Sequence, residues 1–481
     1  MRYATSPKPK IAIVGGGFSG AAVAARLLRS TKYDVEMIES RPRVGPGLAY
    51  GDAQPYHILN VPAGRMSFWT ERPRHFLEWA KRNGPELGWP EAAMAEAHSY
   101  LPRELYGFYV AEQLERTDRE VSEYHGRRLL HRRATAMTLD HDRDVFRLAL
   151  DNGESVRAEA VIIATGHGRP TRSWQVTGRG AAYVEYPWSK EATAHLNSVA
   201  PVLIIGTGLT MVDTVLRLKR EGHCGHITAI SRHGLMPRRR GDSEACVLEL
   251  GVREASFGVR CLFEAAREAI SRNRGDWQAV VDGLRPISEH LWSALSLTEK
   301  RRWLRHVQPI WNVHRHRMPE ESAETIAALI AEDRLEVSAC FVEEIEMSGM
   351  EARVRLRPRG TTRSRTHTFG RVINCTPGRS DLASMGSPLL ADMEKKGLAR
   401  ANALRCGLDC DESGALLDAL GRRLSGAFAL GPMRRGLLFE ASAVPDICCQ
   451  ADDLAQVVAA FLSSDDRQPK ERDVHAIGLA R

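Results

Sequence analysis

The sequence predicts an α/β protein in which one parallel-sheet unit is inserted into another. Three observations carry this reading. A strand, a glycine-rich turn, a helix and a second strand follow one another between Lys10 and Glu39. The same order returns between Pro201 and Ile230. Two apolar runs ending in small residues mark the crossings between the units: Ala160–Ala164 before Thr165 and Gly166, and Arg371–Cys375 before Thr376, Pro377 and Gly378.

In the first unit, Ile11–Val14 is a β-branched run suited to a strand buried on both faces. GGGFSG follows at 15–20, then the Ala/Leu-rich helical stretch Ala21–Leu28 and the strand Asp34–Ile38. That context gives Gly-x-Gly-x-x-Gly its meaning as a dinucleotide-binding turn. Gly15 permits the tight turn, Gly17 lets the backbone approach a pyrophosphate, and Gly20 lets the helix pack on the strand. The helix start offers free N–H groups and a positive dipole end to phosphate. Glu39, at the end of the second strand, is placed to accept from ribose hydroxyls.

The second unit has Pro201–Ile205, then GTGLTM at 206–211, the helix Val212–Lys219 and the strand His226–Ile230. Met211 stands where a third glycine is usual, which predicts slightly wider packing of helix on strand. Ser231 and Arg232 replace the acid that would mark an unphosphorylated ribose. A guanidinium there suits a 2′-phosphate, so NADPH is expected over NADH, with Arg238–Arg240 close enough to help. The alternative for Arg232 is a solvated loop charge.

The expected architecture is therefore two Rossmann-like dinucleotide-binding domains, the second inserted into a discontinuous first. The expected boundaries are 1–175 and 371–462 for the first domain and 176–370 for the second, with a flexible tail at 463–481. Within the insertion, about 255–330 is Trp- and Arg-rich with helical spacing (Trp277, Trp292, Trp303, Trp311) and reads as a small helical subregion. Plain packing by tryptophans accounts for it equally well. The strand Ala427–Leu430 and a closing helix over Asp446–Phe461 complete the first domain.

Composition sets limits on function. Apolar residues are 43% and charged residues 26%, as in ordinary soluble globular chains. No apolar run approaches the roughly 18–20 residues of a membrane helix, and the N-terminal apolar stretch is too short for a signal peptide. Sixty-seven basic against 60 acidic residues gives a mild +7 without a contiguous basic stripe. Nucleic acid is thus not an expected partner. The nine cysteines are odd in number and include no Cys-x-x-Cys, so the chain reads as cytoplasmic with reduced thiols and no metal site.

Longer stretches add specificity: GPGLAYG at 45–51, HILNVPAGRMS at 57–67, YLPRELYGFY at 100–109, IIATGH at 162–167, LIIGTGLTMVD at 203–213, WNVHRHRMP at 311–319 and GPMRRGLLFEASAVPDI at 431–447. With these the chain resembles the two-dinucleotide-domain flavoproteins, and within them a bacterial family of FAD/NAD(P)-binding proteins. It is distantly similar to flavin-containing and N-hydroxylating monooxygenases. The resemblance implies that Gly15, Gly17, Ser19, Gly20 and Glu39 hold the ADP half of FAD, with Thr165 and Gly166 at the domain crossing. It implies that His57, Leu59, Asn60 and Met66 run along the flavin and that Arg103 faces the cofactor. Gly431 to Glu440 would close over the isoalloxazine and ribityl chain, and Gly206, Thr207, Gly208 and Arg232 would hold NADPH. His57 and Asn60 are polar residues within an apolar run, costly to bury without a partner; a hydrogen-bonded core position satisfies that need as well as a cofactor does.

This chain also departs from the pattern. Gly431 is followed by Pro432, so no carboxylate meets the ribityl chain there. The monooxygenase Phe-x-Gly with its histidine is missing, and Tyr183 stands in that region. The helix after GGGFSG and the following strand carry no cysteine pair, which argues against a disulfide reductase. The favoured expectation is an NADPH-consuming monooxygenase that oxygenates a small, amine-bearing substrate with O2 through a flavin C4a-hydroperoxide. The rival expectations are a reductase passing electrons to a quinone, a protein or O2, and a flavoprotein without turnover. His314, Arg315, His316 and Arg317 are candidates for an anionic substrate or the nicotinamide side of NADPH, against the reading of an ion-paired surface turn.

Overall fold

A computed structural model describes residues 10–464 except 55–56, 143–144, 169, 171 and 249. In chain order its main elements are β1 (Lys10–Val14), α1 (Phe18–Ser30), β2 (Asp34–Ile38), α2 (Arg103–His125), β3 (Leu129–Arg132) and β4 (Ala160–Ile163). There follow β5 (Val202–Ile205), α3 (Leu209–Arg220), β6 (Ile227–Ser231), α4 (Val259–Arg272), α5 (Trp277–Leu284), α6 (Ser288–Ala294) and α7 (Gln308–Arg315). The chain closes with β7 (Leu335–Gly349), β8 (Arg371–Asn374), β9 (Arg423–Ala429) and α8 (Val444–Ser463).

β1 is the hub of the first sheet. It pairs in parallel with β2 on one side and β4 on the other, in the order Ala415–Leu417, β9, β4, β1, β2, β3. Its side chains alternate between two buried faces, as a strand covered on both sides must. Ile11 and Ile13 join α1, α2 and α8, while Ala12 and Val14 join the core beneath the small antiparallel sheet of residues 136–158. Arg26, buried in α1, ties α8 down by pairing with Asp452 and donates to the Phe68 carbonyl at 3.0 Å.

β5 is the corresponding hub of the second sheet, flanked in parallel by β6 and β8. The strands of this sheet run from Gln175 to Asn374, between β4 and β9 in sequence, so the second sheet is an insertion in the first. The two crossings touch. The Gly168 N–H donates to the Arg379 carbonyl at 3.0 Å, and Pro170 bridges to Gly378.

Short helices fill Val252–Arg315, ending earlier than the sequence suggested. Glu320–Ala331 packs instead on α3 and β7, because its apolar face (Ala323, Ile326, Leu329) completes the core of the second sheet. α8 reaches Ser463, and the expected tail lies outside the described residues from 465 onward. No described helix is long and apolar enough to cross a membrane.

Gly15 and Gly208 separate the two jobs a glycine does here. Gly15 sits at φ +105°, and a Cβ on it would stand 2.4 Å from the Ala164 carbonyl oxygen; one on Gly208 would meet no atom within 4 Å. Gly15→Ala should therefore cost about 2–3 kcal/mol of stability. Gly208→Ala should stay within about 0.5 kcal/mol of wild type. Urea unfolding of the two variants checks the contrast.

Candidate functional site

The C-terminal ends of β1, β4 and β9 converge on one crevice, at the point where the strand order reverses around β1. Gly20 lies against the Gly15 carbonyl, 2.0 Å from where a Cβ would be, so α1 starts as close to β1 as backbone allows. Gly17 caps α1, and the nearest atom to its notional Cβ is the Gly47 Cα at 3.5 Å. Gly431, at φ +69°, is pressed against the Ser19 hydroxyl, which brings the end of β9 onto the first turn of α1. The Thr165 hydroxyl is buried there without a hydrogen-bond partner, next to Gly166 at φ +71°. Glu39 accepts from the Gly16 N–H at 2.8 Å and the Arg41 N–H at 2.9 Å, which fixes its carboxylate beside the glycine turn.

The second turn repeats the design. A Cβ on Gly206, at φ +111°, would stand 2.5 Å from the Cys375 carbonyl. The buried Thr207 hydroxyl donates to the Leu235 carbonyl and lies 2.8 Å from Ser231 Oγ, so it holds the turn to the end of β6. Gly208 caps α3 and fronts open space. Arg232 is exposed and makes no ion pair or hydrogen bond among the described residues. Of the arginines downstream, Arg239 pairs with Glu320 and Arg240 lies 3.7 Å from Asp282.

An open cradle at the second glycine of each turn, with helix N–H groups at its edge, fits the phosphates of a dinucleotide. The unpartnered Thr165 hydroxyl fits a ligand in the first crevice, because a buried hydroxyl left without a bond is costly.

Arg103 spans the two units. Its guanidinium lies 2.8 Å from the Asp213 carboxylate of α3 and donates from Nε to the Ile58 carbonyl at 3.1 Å, with its charge 5.8 Å from the Trp188 ring. Burial pushes the Asp213 carboxyl up to about 6 although Arg103 pulls it down. His57 stands alongside, edge-on to Trp188, and its Nδ1 accepts the Gln54 N–H at 3.0 Å. Burial, followed by the charges of Arg103 and Arg217, pushes His57 down to about 3. Leu59 and Met66 are buried in the core under α1, and Asn60 is half-buried.

The structure brings WNVHRHRMP and the segment after β9 together. Arg315 lies 3.4 Å from Glu440, both nearly buried, and its Nε and Nη2 have no hydrogen-bond partner. Burial lowers its affinity for the proton, opposed by Glu440. His316 is pushed down to about 4 by burial and then by Arg315. His314 turns the other way, its Nδ1 2.8 Å from the Ile310 carbonyl and its ring edge-on to Trp277. Arg317 uses its donors on Gln278 at 2.7 Å and on Asp282, pinning the end of α7 to α5.

Sequence reasoning passed over His167, Asp213 and Asp446, although all three stand inside stretches already singled out. His167 is exposed at the crossing between the units, where the surrounding protein and then the Arg435 charge push it down to about 4. Asp446 is pushed up to about 6 by burial, despite Arg285 at 3.7 Å. The available signal was an ionisable residue within an otherwise apolar or small-residue motif.

Residues 12–168 match the model of a family described as FAD-NAD(P)-binding. A salicylate hydroxylase from Pseudomonas putida is 25% identical over 190 residues, 38% of this chain and 41% of that protein. The chain thus matches about two fifths of that relative's length. Among solved structures, an ornithine N-hydroxylase from Kutzneria sp. 744, with reduced FAD, NADP+ and L-ornithine, superposes with a TM-score of 0.63 at 13% identity, covering 95% of this chain and 100% of that one. The ornithine hydroxylase of Pseudomonas aeruginosa gives 0.62 at 13% identity over 95% and 100%. Thioredoxin reductase from Lactococcus lactis gives 0.52 at 12% identity over 95% and 99%. The chain therefore has the two-domain fold of these flavoproteins.

His57 supplies a pH test. Its proton affinity in the fold lies below the unfolded value near 6.5, so its contribution is complete above pH 6.5 and fades as pH falls toward about 3. Relative to His57→Gln, wild type should lose roughly 1.5–2 kcal/mol between pH 6.5 and 5. Urea titrations at the two pH values measure this difference.

Proposed function

We propose that the protein is an FAD-dependent, NADPH-consuming monooxygenase acting on a small amine-bearing substrate. The observation that carries the reading is a roof. Helices α4–α7 of the insertion close onto the segment after β9 through Arg315–Glu440 and the stacked rings of Trp292 and Phe439, centroids 5.1 Å apart. A covered site excludes water from a reactive centre, whereas handing electrons to a protein partner asks for an open face. The ornithine hydroxylases, with their higher TM-scores and near-complete coverage, support the same choice. In the balanced reaction NADPH gives two electrons, one oxygen atom of O2 enters the substrate, and the other leaves as water.

FAD, when bound, would supply hydride acceptance and O2 activation. The chain's own part is to bind, orient and cover. Gly15, Gly17, Ser19 and the start of α1 would take the FAD phosphates, with Glu39 and Thr165 as acceptor and donor at the rim. Gly206, Gly208 and the start of α3 would take those of NADPH. Arg103, held by Asp213, fixes the spacing of the two turns. His167 and His316, neutral at pH 7, can donate or accept without adding charge to the crevice.

Four measurements test this. The purified protein should carry FAD; FMN, or no flavin after reconstitution, overturns the assignment. Gly208→Ala should impair anaerobic flavin reduction by NADPH with FAD retained, because its methyl group reaches into the space left for the pyrophosphate. Arg232→Ala should narrow the NADPH:NADH ratio of kcat/KM by at least about tenfold, the loss of a charge-assisted phosphate contact. An unchanged ratio leaves Arg232 a loop charge. With a panel of small amines, O2 uptake without matching peroxide identifies oxygenation, and full conversion to peroxide points to the rival reductase.

A further inference from the structure

The helical insertion holds a cleft of about 240 Å³, open to solvent on one side, whose walls are almost wholly apolar. Trp277, Trp292, Trp303 and Trp311 line it together with Phe439. One rod supplies two of the four tryptophans. A π-helical turn at Trp303–Val307 runs straight into α7, and Trp303, Val307, Trp311 and His314 recur at the spacing of a single face. Four tryptophans used only as packing would fill the space between the helices; here they line a cleft instead.

Size and chemistry narrow the occupant. An apolar cavity of about 150 Å³ holds benzene, so by that scale about 240 Å³ holds roughly a two-ring aromatic. The walls add a polar detail. The Trp303 indole N–H is buried and has no hydrogen-bond partner, whereas the Trp292 N–H faces the Gly436 carbonyl at 3.4 Å. An occupant carrying one acceptor would satisfy Trp303. Phe439 touches Trp292, Trp303 and Trp311 and immediately precedes Glu440 of the candidate site.

We infer that the insertion is a chamber for a two-ring aromatic bearing one hydrogen-bond acceptor, the apolar part of the substrate, delivered past Phe439 to the crevice. This rests on the oxygenation reading and deepens it by naming the substrate class. The chamber's lining holds one guanidinium, Arg267, and no carboxylate, so it offers the two ammonium groups of a free amino acid such as L-ornithine no counter-charge.

Isothermal titration calorimetry of the FAD-loaded protein with 1-naphthol and with naphthalene is the test. 1-Naphthol should bind with a Kd on the order of 10 µM, with the negative heat-capacity change of apolar burial. Ala266→Trp, which fills the chamber from α4, should weaken both probes at least tenfold with FAD content unchanged. Trp303→Phe keeps the ring and removes the donor; it should weaken 1-naphthol about fivefold and leave naphthalene unaffected. Excess L-ornithine should not displace either probe. Absence of binding, displacement by L-ornithine, or unchanged affinity in both variants overturns the chamber. Failure of the oxygenation reading shows separately, as no flavin reduction by NADPH while calorimetric binding persists, and that result supports the chamber.

Discussion

Backbone against backbone, with no room for a Cβ, is the constraint on which this structure depends. It holds both central turns, where Gly15 meets the Ala164 carbonyl and where Gly206 meets the Cys375 carbonyl. In each case the turn after a central strand is pressed on the end of the neighbouring strand that carries the chain across to the other unit. Only a residue without a Cβ, at positive φ, fits there. The outcome is a helix that starts just where the chain changes units, with open space in front of Gly208 and the Gly47 backbone in front of Gly17. The glycine at the turn makes the fold, and the second glycine, Gly17 or Gly208, leaves the ligand its space.

The two units are held in register by charges that pair across them. Arg103 and Asp213 are both largely buried, and their separation would leave an uncompensated charge in the interior, typically costing about 3–5 kcal/mol. The touching crossings at Gly168 and Gly378 act at the other end of the same seam, where a Cβ on Gly378 would stand 2.6 Å from the Gly168 carbonyl. Arg315 and Glu440 extend the seam to the helical insertion.

The ionisable groups along that seam share one tendency. His57, His167 and His316 are driven neutral by burial near arginines, and Asp213 and Asp446 are pushed toward protonation. At pH 7 the three histidines are neutral, while the two carboxyls, at about 6, remain mostly ionised and keep their arginine partners.

The sequence by itself determined the two strand–turn–helix units, their nesting and the cradle glycines. These follow from local rules: a β-branched run, a glycine where φ is positive, and a helix start that leaves N–H groups free. Arg232, read from its place after a strand, stands exposed at the end of β6. What pairs across distance belongs to the tertiary structure alone. No spacing indicates that Arg103 will meet Asp213, 110 residues on, or that Arg315 will meet Glu440. WNVHRHRMP shows why. Four consecutive residues read as one polar patch, yet the end of α7 sends His314 toward Trp277, Arg315 toward Glu440 and Arg317 toward Asp282. Helical rotation of about 100° per residue divides neighbours in sequence among different surroundings, and only the packing of the insertion decides which surroundings those are.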